Sequence, residues 1–263
     1  MVLWLAVFTA LVALSDAPVV SKTPTFSNND KWTFSESFHS EIDTQSSGNT
    51  KDFSFPDPSK SSENGNLTRN LTILSTDNNG LPVKFVVAYS IEDSANLPND
   101  NPVVGKSFLV DLTSTVAGVS SGVDNGAVPA TAREFVTRDS RRMIDYFMAM
   151  IEFANLNIGT DQEQDLPVAL GCRILGIPPS DVGKIGIERT ADRPGVKYSL
   201  TILSKGDKEQ QVVTQAILSI KHDWSEVQAS LTTSPVKEVS QDSTKIKVEA
   251  STSLEIVRKL ARH

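Results

Sequence analysis

The sequence predicts an α+β protein built in two parts, an N-terminal antiparallel β-sandwich-like domain followed by a ferredoxin-like βαββαβ domain. Three observations point there. Apolar residues alternate with polar ones through much of the first 116 residues, the period of half-buried strands. Met143, Phe147, Met150, Ile151 and Ala154 then recur at helical spacing. Beyond them, two more alternating runs flank Asp192-Arg193-Pro194-Gly195, good turn chemistry between antiparallel strands. With 263 residues, 39% of them hydrophobic, the chain can bury a core of this size.

In order, Leu3 to Leu14 is almost wholly apolar and ends in Ala13-Leu14-Ser15, which reads as a secretory signal over residues 1–15. About a dozen residues is short of the roughly 20 that a membrane-spanning helix needs, and no Lys or Arg precedes the run. Residues 16–31 form a polar leader. The sandwich-like domain covers 32–116. Trp32, Phe34, Phe38 and Ile42 share parity and predict a strand, and residues 43–65 predict a long loop with one short strand around Phe53 and Phe55. Leu67, Leu71 and Ile73 share one strand face, as do Val83, Phe85, Val87, Tyr89 and Ile91. Asn78-Asn79-Gly80 between them predicts a hairpin. Phe108, Val110 and Leu112 alternate once more.

Residues 117–131 are rich in Gly, Ser, Ala and Val and read as a linker, leaving 132–263 as the α+β domain. Thr137 or Asp139 is placed to cap its first helix, and Phe135-Val136 could supply a strand before it. A second helix runs from Asp165 past Pro167 to Gly176, a residue suited to end it in a left-handed conformation. Pro178-Pro179 forces an extended exit into the hairpin of Ile185–Ile187 and Val196–Ile202. Val213, Ala216, Ile217, Ile220 and Trp224 predict a third helix; Ile246, Val248 and Ala250 a last strand; Leu254, Val257, Leu260 and Ala261 a tail helix, with Glu255 and Lys259 as an i, i+4 pair.

Leu175-Gly176-Ile177-Pro178-Pro179-Ser180-Asp181-Val182, followed by strand, turn and strand, resembles the extracellular SEA-type modules over residues 130–250. That resemblance implies a ferredoxin-like fold. Many members of the family cleave themselves at a glycine–serine bond, and the matching place here reads Gly195-Val196, so the resemblance implies an uncleaved chain. In residues 66–112, Asp77-Asn78-Asn79-Gly80, Ala88-Tyr89-Ser90-Ile91 and Asn99-Asp100-Asn101-Pro102 are similar to a cadherin-type repeat. This echo makes Asp77 and Asp100 candidate calcium ligands, although the family's completing acidic motifs are absent.

Charge and chemistry narrow the function classes. Residues 16–117 carry 7 Lys+Arg against 13 Asp+Glu, and residues 118–263 carry 18 against 19. Neither half has the basic stripe that nucleic-acid binding requires. Cys172 is the single cysteine, which excludes an internal disulfide, and its place in an apolar helix reads as core. The three histidines, His39, His222 and His263, are scattered, with no zinc set and no catalytic triad; the glycines match no phosphate-binding loop. Asp145 and Glu152 read as solvated charges. Arg138, Arg141 and Arg142 cluster on a helix as either an anion site or an exposed basic turn. Asn66-Leu67-Thr68 and Asn70-Leu71-Thr72 are glycosylation acceptor patterns.

No catalytic residue and no cofactor are assigned. The expectation is an exported, secreted or periplasmic, non-catalytic protein for recognition or adhesion, with a protein or glycan partner and no transmembrane segment. The alternative is a small-molecule or lipid carrier with an apolar pocket between helices and sheet, lined by Met143, Phe147, Met148 and Met150. A large pocket favours the carrier; a filled core with an exposed apolar patch favours recognition.

Overall fold

Alternating runs do pair into strands, and they pair into one sheet rather than two. The computed structural model describes residues 23–48, 59–91, 103–159, 162–191, 195–205, 212–233, 236–241 and 244–263. The predicted signal segment, Phe53, Phe55 and Asp100 lie outside the described residues. The strands are β1 (Lys31–Gly48), β2 (Ser59–Thr76), β3 (Pro82–Ile91), β4 (Ser107–Asp111), β5 (Gly118–Ser121), β6 (Gln164–Leu166), β7 (Val182–Ala191), β8 (Val196–Ser204), β9 (Val213–Ile220), β10 (Glu226–Thr233), β11 (Val236–Gln241) and β12 (Thr244–Arg262). Two helices accompany them among the described residues, α1 (Ala130–Ala154) and α2 (Val168–Leu175). The order β5-β4-β3-β2-β1-β12-β10-β9-β8-β7-β6, with β11 pairing β12, makes a single 12-stranded sheet, antiparallel throughout its strand pairs.

This overturns the expected fold class. There is no β-sandwich-like domain followed by a ferredoxin-like βαββαβ unit; one large antiparallel sheet carries two helices on a single face. Its middle is the pairing of the first and last strands, from Trp32 opposite Arg262 to Gly48 opposite Ile246. Residues 117–131, read as a linker, hold β5 and the first residues of α1. Phe135 and Val136 belong to α1 rather than to a strand, and β1 and β2 extend into the stretch 43–65 read as a long loop.

The predicted third helix is β9. Ala216, Leu218 and Ile220 point inward, while Val213 and Ile217 are exposed apolar residues that filled out a false helical stripe. The predicted tail helix is the end of β12. Its inward series is Leu254, Ile256, Arg258 and Leu260, and the charge at 258 hid the alternation. Glu255 and Lys259 consequently serve different neighbours, Gln228 and Glu226.

Register places the inward residues of every long strand on one face: Phe34 opposite Leu260, Leu71 opposite Val87, Val87 opposite Phe108, Ala229 opposite Ile256, Ile220 opposite Val196 and Leu200 opposite Ile187. Helix α1 lies across this face. Phe135 near its start meets Tyr89 of β3, Tyr146 and Phe147 meet Phe34 of β1, and Phe153 near its end meets Tyr198 of β8. From β3 to β8 there are six strand spacings of about 4.8 Å, roughly 29 Å. The helix rises about 27 Å over the 18 residues from Phe135 to Phe153, at about 1.5 Å each. The match means that α1 crosses the strands nearly at right angles. Among the described residues no helix is long and apolar enough to span a membrane.

Both expected hairpins form, β2–β3 around the Asn78-Asn79-Gly80 turn and β7–β8. Helix α2 ends where expected, at Gly176 with φ +73°, its amide donating to the Cys172 carbonyl 2.8 Å away. A Cβ at Gly176 would approach the Arg258 guanidinium to 2.5 Å. Gly176→Ala is therefore expected to lower stability by about 1–2 kcal/mol from the left-handed backbone alone. The check is a urea melt, which should show a lower midpoint at unchanged slope. An unchanged midpoint would contradict this account of the helix end.

Candidate functional site

Three adjacent strands in the middle of the sheet each break their apolar alternation once. On β2 the inward series runs Leu67, Arg69, Leu71, Ile73; on β1 it runs Trp32, Phe34, Glu36; on β12 it runs Leu254, Ile256, Arg258, Leu260. Glu36 stands directly opposite Arg258, and Arg69 stands opposite Phe34, diagonal to Glu36. A row of charge therefore crosses the helix-covered face where β2, β1 and β12 lie side by side. Arg69 is 2% exposed and Arg258 3%.

Burying an ion is tolerable only with partners that replace its water. Asp139, on the buried side of α1, supplies them for Arg69: Nε donates to Oδ2 at 2.8 Å and Nη2 to Oδ1 at 2.5 Å, a two-pronged pair. The Tyr89 hydroxyl donates to the same Oδ2 at 3.0 Å, and burial, then the Asp139 charge, pushes the Tyr89 pKa up. Arg258 donates through Nε to Glu36 Oε2 at 2.8 Å and through Nη1 to the Ile174 carbonyl at 2.6 Å, which ties β12 to α2. Its guanidinium lies 4.6 Å from the Tyr146 ring centre. Arg142, exposed on α1, reaches the other Glu36 oxygen. The Arg69 guanidinium stands 5.1 Å from the Phe34 ring centre.

A groove of about 1230 Å³ opens over this row, between α1, α2 and the sheet. Phe34, Met143, Tyr146, Ala169, Cys172 and Ile177 give it apolar walls. Among the described residues seven arginines border it (69, 133, 138, 141, 142, 173 and 258), against Glu36, Glu134 and Asp145. That excess is notable in a chain of net charge −7. Three of these arginines, 133, 138 and 141, have no acidic partner among the described residues. Arg141 donates to the Thr115 carbonyl at 2.9 Å and Arg133 to the Val128 carbonyl at 3.2 Å, while Arg173 is paired with Glu152. The Arg138, Arg141 and Arg142 cluster thus lines a cavity.

The structure redistributes the other candidates. Asp139 is no helix cap: α1 begins at Ala130 without a side-chain cap, and Asp139 is a buried ion-pair partner in mid-helix. Of the four residues expected to line a carrier pocket, Met143 borders the groove, whereas Phe147 and Met150 are buried in the core and Met148 packs half-buried against it. Asp77 Oδ1 accepts from the backbone amides of Asn79 and Leu81, a turn role. Among the described residues no group of three or more His, Cys, Asp or Glu could hold a metal ion. Asn70 is exposed on β2, its Oδ1 accepting from Thr33; Asn66 sits further along the same strand and borders a second cavity. Burial pushes the Cys172 thiol up, away from a reactive thiolate.

Glu36 gives the row a pH signature. Burial alone would raise its pKa; Arg258, then Arg142 and Arg69, more than offset this and hold the carboxyl below its ordinary value of 4.5. A depressed folded-state pKa contributes stability that is complete above the ordinary value and is lost as pH falls through the folded one. Unfolding free energy is thus expected to fall with acidification below pH 4.5. Glu36→Gln should flatten that slope without abolishing it, because hydrogen bonds from Thr113 and Ser225 also hold Asp111 and Asp223 low. Urea melts across the acid range check this; identical slopes for both proteins would contradict it.

No protein-family model matches this chain, and no curated protein matches its sequence significantly.

Proposed function

We propose that this chain is a non-catalytic binding protein for an amphipathic anion, a ligand with a charged head and an apolar body, carried in the groove between α1, α2 and the sheet. The observation that carries the reading is the row Arg69–Glu36–Arg258 on the floor of a groove whose walls combine apolar side chains with further arginines. Stability does not account for it, since apolar residues of similar volume commonly stabilise a fold as well as a buried ion pair does, or better. The groove exceeds the roughly 300–1,000 Å³ of sites for drug-sized ligands, which suits a long or branched body. None of the three histidines borders it, and a buried thiol with a raised pKa makes a poor nucleophile, so the reading is binding rather than catalysis. This makes the carrier alternative the stronger one. A role in recognition or adhesion would need a contiguous apolar surface patch, whereas the exposed large apolar side chains among the described residues fall on separate elements: Phe38 and Ile42 on β1, Leu74 on β2, Val213 and Ile217 on β9, and Val104, Val116, Val123 and Leu156 outside the long strands and helices.

The test is native mass spectrometry of the full chain purified gently from its own host, followed by organic extraction. The expected result is a fraction heavier by one small molecule, and an extract containing an anionic amphiphile. Protein of bare chain mass that also fails to retain any of a panel of anionic amphiphiles would overturn the reading.

A further inference from the structure

The groove shares a wall with a second cavity of about 460 Å³ bordered by Phe38, Gly65 and Leu67. Among the described residues four line both: Glu36, Arg69, Arg138 and Arg142. Three positive charges face one negative charge there. Asp139 borders only the second cavity and Arg258 only the groove, so including both leaves the excess at two. Glu134 and Asp145 border the groove but not this shared wall.

Two of these arginines also have donors to spare. Arg69 is almost wholly buried, yet its Nη1 has no hydrogen-bond partner among the described residues, and a buried donor left without an acceptor is costly. The Arg138 guanidinium makes no ion pair or hydrogen bond among the described residues. Guanidinium groups offer paired, parallel donors that suit a carboxylate or a phosphate alike; the charge excess separates the two. We infer that the wall between the cavities is the head-group subsite and that it takes a phosphomonoester, whose charge near neutral pH is about −1.5 to −2. A carboxylate would leave one positive charge uncompensated. This rests on the amphipathic-anion reading and names the head group for it. The phosphate belongs to a lipid-like chain or arrives free, and the experiment separates these sources.

The full chain is titrated calorimetrically at neutral pH and low salt with dodecyl phosphate, dodecanoate and inorganic phosphate, each below any micelle concentration. Dodecyl phosphate is expected to bind about tenfold tighter than dodecanoate or better, from charge-assisted bonds made only to the second charge. Inorganic phosphate should bind about a hundredfold more weakly than dodecyl phosphate, since it buries no alkyl chain. Arg138→Gln changes an exposed side chain and should leave folding intact. It is expected to cut the affinity for dodecyl phosphate about tenfold and to change that for dodecanoate little. Equal binding of the two amphiphiles, or no loss in Arg138→Gln, overturns the phosphomonoester subsite and leaves the amphipathic-anion reading standing. Inorganic phosphate binding as tightly as dodecyl phosphate supports the subsite and overturns the amphipathic reading. No binding of any probe overturns both.

Discussion

Asp139→Ala is expected to lower the unfolding free energy by about 3–5 kcal/mol, the range for removing one partner of a buried ion pair. The loss follows from what is left behind. Arg69 keeps its charge at 2% exposure with no acceptor on Nε or Nη2, and the Tyr89 hydroxyl loses its partner. The double variant Arg69→Met with Asp139→Leu removes both charges at similar volume and is expected to be clearly more stable than the single one. Chemical denaturation of the three proteins measures both effects. A single variant within 1 kcal/mol of the parent, the scale of an ordinary exposed pair, would mean that the pair is solvated. A double variant as unstable as the single one would locate the effect in packing instead of charge.

Ala169→Trp is expected to abolish ligand binding while sparing the fold. Ala169 is exposed on α2 and borders the groove, so an indole there occupies space that the ligand's body needs without entering the core. Exposed substitutions of this kind usually shift stability by no more than about 0.5 kcal/mol. Affinity for whichever amphiphile binds the parent should fall about a hundredfold or more, equivalent to about 2.7 kcal/mol. Calorimetric titration beside a urea melt checks both halves of the expectation. Unchanged affinity would place the ligand elsewhere.

How much of this was legible in the sequence depended on distance along the chain. The β2–β3 and β7–β8 hairpins and the α2 stop at Gly176 are local: alternation and turn chemistry sit within some 30 residues. The pairing of β1 with β12 joins Trp32 to Arg262, and no local pattern announces a partner that far away. Without it, two runs of strands separated by a Gly/Ser/Val stretch looked like two domains. Exposed apolar residues misled further, Val213 and Ile217 completing a helical stripe on a strand whose buried side is Ala216, Leu218 and Ile220.

The candidate site was hidden for a related reason. Single charges inside strands match no nucleophile, metal-ligand or phosphate-loop pattern. Yet Glu36 follows Phe34, Arg69 falls between Leu67 and Leu71, and Arg258 falls between Ile256 and Leu260, each at the parity of the buried face. A lone charge at an inward position is the readable signal. At Arg258 it also broke the alternation enough to turn a strand into a false helix. What no single strand could show is that the three interruptions fall on neighbouring strands, Arg258 opposite Glu36 and Arg69 diagonal to it; that is a property of the sheet order and pairing.

The most direct measurement of the central claim uses the methionine methyl groups as reporters during titration with dodecyl phosphate. Met143 borders the groove, while Met150 is buried in the core and outside the groove lining. With carbon-13-labelled methyl groups, the Met143 resonance is expected to shift most and to saturate with the calorimetric affinity, while Met150 moves little. Saturable binding that leaves Met143 unmoved, or shifts it no more than Met150, would contradict a ligand seated over the Arg69–Glu36–Arg258 row.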